Sequence, residues 1–225
     1  MTPPFAASVF QKVCKNLVPV GLAVVLPFLV ATHAFGQFTH QVVRHFESAI
    51  NGAAIRAPLV RLDGFSGTGY FGTTSEGGEY GLGTVFRIDA VTGEQTTVYH
   101  FRGGAFDGAN PYGGLVTDGS ALYGTSYAGG SANLGVIFRL SLRNLDDQWT
   151  LSLRYSFPGG LQGARPVTQL VRTPDGSLYG TASEGGQGFG TVFRFASGTL
   201  TTLHAFSGGS DGSTPGDLTR GVDGN

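Results

Sequence analysis

Three times along the chain an aromatic residue is followed by Gly-Thr, then by a glycine pair, then by a glycine opening a short apolar run that ends in Phe. The first copy holds Phe71-Gly72-Thr73, Gly77-Gly78 and Gly83 to Phe86 (GTVF). The second holds Tyr123-Gly124-Thr125, Gly129-Gly130 and Gly135 to Phe138 (GVIF), and the third Tyr179-Gly180-Thr181, Gly185-Gly186 and Gly190 to Phe193 (GTVF). Copies are spaced by 52 and then by 55 or 56 residues. Such repetition constrains a fold strongly, because a unit too small to bury its own apolar face must bury it against a neighbour built alike. Each unit closes on a Phe (Phe101, Phe157, Phe206), followed by a glycine pair and then by Pro111, Pro166 or Pro215. A partial earlier copy is read in VVRHF ending at Phe46, with Pro58 and Leu62 after it.

Within a unit the local pattern is β throughout. In the second, GGLVTD, ALYGTSY, GVIFRLSL and WTLSLRYSF are predicted strands, each bounded by Gly, Asp or Asn turn signals. Four strands in about 50 residues, recurring, predict an all-β, β-propeller-like array of four-stranded antiparallel units over residues 37–225. An all-β solenoid is the architectural rival, with coils of shorter period. About three and a half units are present where a closed propeller has about four to eight, so the array is expected to be incomplete in this chain. Alternation places Thr84, Phe86 and Ile88 on one strand face and Val85 and Arg87 on the other. Phe86, Phe138 and Phe193 are therefore the expected inter-sheet core. Arg87, Arg139 and Arg194 recur on the opposite face, where they are weak candidates for ligand contact and stronger ones for a bond to a nearby Asp, Glu or carbonyl.

A composition of 40% hydrophobic residues, with 17 Phe and 8 Tyr, excludes a disordered chain, so the 38 glycines punctuate turns of a folded one. Residues 1–36 differ in kind. Lys12 and Lys15 precede an apolar run from Leu17 to Val30, and the small residues of ATHAFGQ follow, the order of a secretory signal peptide cleaved after Ala34 or Gly36. Pro19, Gly21 and Pro27 argue against a retained membrane anchor. The expectation is a secreted or cell-surface protein. Cys14, the sole cysteine, would leave with that segment, and with it any disulfide or thiolate chemistry. Twelve arginines then face fifteen acids, a net charge of about −3 that offers no basic stripe to nucleic acid.

No G-x-S-x-G elbow is present, and no helix start follows the glycine pairs to make a phosphate loop. Catalytic residues, a cofactor and a metal site are not expected. Glu76 and Glu184 share one repeat position, where the second copy has Ala128. They are a weak candidate pair for glycoside chemistry, which needs carboxyls roughly 5 to 10 Å apart, and otherwise two solvated loop glutamates. Asp107, Asp118, Asp175, Asp211 and Asp223 each precede Gly, a pattern that predicts turns, with calcium at one loop left open. Of His40, His45, His100 and His204, the last falls opposite Tyr99 and Tyr155 rather than opposite His100, so the histidines form no repeated ring. Ligand contact is expected on the loops Glu76 to Leu82, Tyr127 to Leu134 and Glu184 to Phe189, whose content varies while their frame does not.

The combination P-x3-L, DG-x-LYGT-x3-GG-x3-G-TVF and HxF-x-GG-x-DG resembles the GloVer tandem repeat of "choice-of-anchor" bacterial surface proteins. It is carried here by Pro166, Leu170, Asp175-Gly176, Leu178 to Thr181, Gly185-Gly186, Gly190 to Phe193, His204 to Phe206, Asp211-Gly212 and Pro215. The resemblance covers residues 38–225 and implies an exported, β-propeller-like protein with no established reaction. The expected function is a non-enzymatic binding or surface-interaction module for an extracellular ligand such as a polysaccharide or envelope component. The alternatives are an extracellular propeller enzyme acting on carbohydrate and a kelch-like binding propeller, the latter disfavoured by a single Trp, Trp149.

Overall fold

A computed structural model describes residues 49–64, 67–142 and 148–221, all within one compact unit, Val42–Asn225. The signal segment 1–36 with Cys14, together with His40, His45, Phe46 and the Asp223-Gly224 pair, lies outside the described residues. No helix among them is long and apolar enough to cross a membrane. Among the described residues the fold is all-β, with sixteen short strands in antiparallel sheets and two short 3-10 turns.

The first sheet comprises β1 (Ala53–Ile55), β2 (Val60–Leu62), β3 (Gly69–Glu76), β4 (Thr84–Asp89) and β5 (Gln95–His100). The second region holds β6 (Gly108–Ala109), β7 (Val116–Thr117), β8 (Ala121–Ser126), β9 (Ala128–Gly129), β10 (Val136–Leu142) and β11 (Trp149–Ser156). The third sheet has β12 (Ala164–Pro166), β13 (Val171–Arg172), β14 (Leu178–Glu184), β15 (Thr191–Ala196) and β16 (Thr199–Ala205). Each is the same meander. Two short strands pair with one edge of the aromatic-Gly-Thr strand, which pairs with the GTVF-type strand, which pairs with the closing strand. In the second region that edge is interrupted at Tyr127, so β6 and β9 form a separate two-stranded ladder. Register shifts at corresponding positions, Val85/Phe86, Ile137/Phe138 and Val192/Phe193, so a bulge recurs with the sequence repeat.

The predicted phenylalanine core is present: Phe86, Phe138 and Phe193 are fully buried. The opposite face of the middle sheet's strand β10 is buried as well, because the second sheet packs against the first on one side and the third on the other. Phe138 meets Phe101 of the first unit edge to face, with ring centroids 5.2 Å apart. On the other face of the same strand Ile137 joins Phe157, Leu170 and Phe193 in the second core, and Phe157 meets Phe193 at 5.3 Å in the same arrangement. Strands β2, β7 and β13, the short inner edges, lie side by side in series.

The glycine of each aromatic-Gly-Thr step is required by that packing. A methyl group at Gly72, Gly124 or Gly180 would lie 2.6 Å from the ring tip of Phe86, Phe138 or Phe193, with Leu59, Leu115 or Leu170 closing from the other side. Packing on the glycine makes Leu59, not Leu62, the first-unit counterpart of Leu115 and Leu170, although Leu59 directly follows Pro58 where the other two lie four residues after Pro111 and Pro166. Leu62 is buried in the core between the first two units.

Candidate functional site

From the second onward, each described unit begins by crossing onto its predecessor. Ala54, Asn110, Arg165 and Thr214 take positive φ of 59°, 54°, 55° and 51°. The amides of the last three donate to the carbonyls of Leu82, Leu134 and Phe189, each at 2.8 Å. Since the strained conformation recurs at four junctions, it belongs to the frame and marks no particular site. These bonds also commit the variable loops. The stretches Glu76 to Leu82, Tyr127 to Leu134 and Glu184 to Phe189, expected to hold the ligand, each receive the start of the next unit.

Each recurrent arginine makes side-chain bonds within its own unit. Arg87 pairs with Asp89 at 2.9 Å. Arg139 donates to Ser141 Oγ at 2.9 Å and to Tyr123 Oη at 3.3 Å. Arg194 donates to Ser177 Oγ at 2.9 Å and to Asp175 at 3.4 Å. Glu76 and Glu184 end strands of the first and third sheets, with the second sheet between them, and Glu184 pairs with Arg165 at 3.2 Å.

The Asp-Gly pairs divide into two kinds. Asp118 and Asp175 are turn residues: Asp118 accepts from the amides of Ser120 and Ala121, both 2.8 Å, and Asp175 from that of Ser177 at 3.1 Å. The following Gly119 and Gly176 have φ of 89° and 85°. Asp107 is instead buried and ties the closing strand to its loop, accepting from Tyr99 Oη at 2.7 Å and from the Arg102 amide at 3.2 Å. Burial pushes its carboxyl up, opposed by those bonds, and burial followed by the bond to Asp107 pushes the Tyr99 phenol up. Asp211 does the same work with His204 Nε2 at 3.3 Å and the Ser207 amide at 3.1 Å. His204 stands opposite Tyr99 in the repeat because both serve the loop aspartate. His100 accepts from the Glu79 amide at 3.1 Å. Among the described residues no three His, Cys, Asp or Glu side chains gather as a metal cage.

Two steps after the positive-φ residue the units stop resembling one another. That position holds Arg56, Tyr112, Val167 and Gly216 in turn, and the first three line one concavity. Thr73 and Thr125 donate to the carbonyls of Gly113 and Thr168 in the following unit at 3.1 and 3.2 Å, and Thr181 donates to Gly216 at 3.1 Å. A concavity of 60 Å³ results, walled by Arg56, Tyr112, Gln169 and Asp217 over a floor of Gly113 and Gly114. Its side chains are held in place. Arg56 donates Nε to Ser75 Oγ at 3.1 Å and lies over the Tyr112 ring at 5.0 Å. Tyr112 abuts Tyr127 at 5.2 Å, and Arg165 covers the Tyr127 ring at 4.5 Å. Gln169 donates its amide nitrogen to the Leu115 carbonyl at 2.9 Å, and its backbone amide donates to Asp217 at 3.1 Å.

None of Arg56, Tyr112, Gln169 or Asp217 was singled out by sequence reasoning. For Tyr112 alone a signal was present, since the residue following each repeat proline differs between copies: Tyr112 after Pro111, Val167 after Pro166, Gly216 after Pro215. A family model described as the Gloeobacter/Verrucomicrobia repeat matches residues 31–225. No curated protein matches the chain.

Proposed function

Because the chain belongs to the Gloeobacter/Verrucomicrobia repeat family, we propose that it is an exported, β-propeller-like, non-enzymatic module that binds an extracellular ligand in the concavity between successive units. The observation that carries this reading is the contrast between frame and surface. Three units repeat the same glycine, phenylalanine and threonine contacts, yet the corresponding positions lining the concavity hold Arg56, Tyr112 and Val167. Side chains on a rigid scaffold vary where packing does not hold them, and a concavity is where such side chains meet a ligand.

Export is supported by the signal-peptide pattern and by a family match that starts at residue 31, directly after the apolar run ending at Val30. The propeller-like arrangement is supported by successive four-stranded meanders whose short edge strands lie side by side. Retention on a panel of immobilised polysaccharides and cell-envelope fractions tests the function. We expect retention by at least one of them, lost in an Arg56→Ala/Tyr112→Ala double variant. Retention by none, or retention unaffected by the double substitution, overturns the proposal.

A further inference from the structure

The composition of the concavity narrows what it can hold. Arg56 is fixed through Nε and its ring stack, and among the described residues its terminal nitrogens have no protein partner. Asp217 uses Oδ1 on the Gln169 amide, which leaves Oδ2 open as an acceptor. The bond from Gln169 Nε2 to Leu115 sets the orientation of the amide, leaving its Oε1 as a further acceptor. The Tyr112 side chain completes the lining, and Ala57, Pro58 and Val167 supply apolar wall.

A guanidinium alone would favour a carboxylate or phosphate. Here Asp217 shares the same small space, so an anion meets one attractive and one repulsive full charge, while a neutral ligand gains from both. The ligand must also donate to Asp217 and Gln169 while accepting from Arg56, and an alcohol does both with one group. About 10–15 Å³ suffices for one water, so a 60 Å³ site admits a few hydroxyl-sized groups and no whole ring. Resting on the binding reading above, we infer that the site takes the vicinal-hydroxyl edge of a neutral sugar residue at an exposed end or branch of a glycan. Asp217 accepts from one hydroxyl and Arg56 donates to its neighbour.

Saturation-transfer NMR on the full chain with methyl glycosides of glucose, galactose and mannose, and with glucuronic acid, tests this. At least one neutral glycoside is expected to bind, and Arg56→Gln and the isosteric Asp217→Asn are each expected to weaken it tenfold or more without moving the melting temperature. Tighter binding of glucuronic acid, strengthened by Asp217→Asn, overturns the neutral-sugar assignment while leaving the site in place. Absence of any saccharide signal, with polysaccharide or envelope retention still sensitive to Arg56→Ala/Tyr112→Ala, also overturns it and leaves the binding function standing. Loss of that sensitivity as well removes the function itself. Should Arg56→Gln unfold the chain, Asp217→Asn alone decides, because its rim position is exposed.

Discussion

A methyl group on Gly124 would sit 2.6 Å from Phe138 Cζ and 2.9 Å from Leu115 Cδ2, two buried side chains with nowhere to retreat. Overpacking of this kind costs about 1–3 kcal/mol, so Gly124→Ala is expected to lower the urea midpoint accordingly; a loss under about 0.5 kcal/mol would show that the ring and leucine yield freely. Asp118 carries a different prediction. Burial pushes its carboxyl up, but the Ser120 amide, the Tyr123 and Ser120 hydroxyls and the Ala121 amide outweigh that and hold it at about 2. The folded value lies below the unfolded 3.8, so the stability it contributes is complete above about pH 4 and lost as the pH falls through about 2. Urea unfolding at a series of pH values is expected to show a shallower acid limb in Asp118→Asn than in the parent, and coincident limbs would contradict the assignment.

Between sheets, the closing phenylalanines allow one comparison inside one molecule. Phe157 is fully buried against Phe193 and Tyr155, whereas Phe206, its counterpart in the third unit, is only half-buried. Phe157→Ala is expected to cost about 3–5 kcal/mol and Phe206→Ala well under half of that by chemical denaturation; equal losses would mean that the units do not depend on their neighbours as the packing implies. The strands of the second unit were legible in the sequence because glycine and aspartate bound each one. What alternation concealed is that both faces are covered: Arg139 beside Ile137 suggested a polar second face, yet Ile137 is core, since the arginine folds back on Ser141 and Tyr123. The concavity stayed hidden for a related reason. Aligning copies rewards agreement, and Arg56, Tyr112 and Val167 disagree; moreover Asp217 reaches Gln169 across 48 residues, a contact no local pattern reports.

Among the described residues the second sheet is clamped between the first and the third, while the far face of the third carries partly exposed apolar side chains. There Val192 and Phe206, whose counterparts Val85, Ile137, Phe101 and Phe157 are fully buried, remain partly exposed, and Leu203 and Phe189 stand 52% and 41% exposed. In a stacked-repeat protein, stability is a sum of unit and nearest-neighbour terms, so a unit with one interface opens at lower cost than a unit with two. Opening β15 and β16 sacrifices one interface, the cluster that joins Phe193, Phe195 and Leu200 to Ile137 and Phe157, whereas opening β10 sacrifices its place in that cluster and the Phe101–Phe138 contact together. Native-state hydrogen exchange is therefore expected to rank the amides of β10 as slowest, limited by global unfolding, and those of β16 as faster by sub-global opening. Phe157→Ala should widen that difference by loosening the interface between the second and third sheets. Equal protection in β10 and β16, unchanged by the substitution, would show the described units to unfold as a single cooperative block in which neighbour number has no energetic meaning.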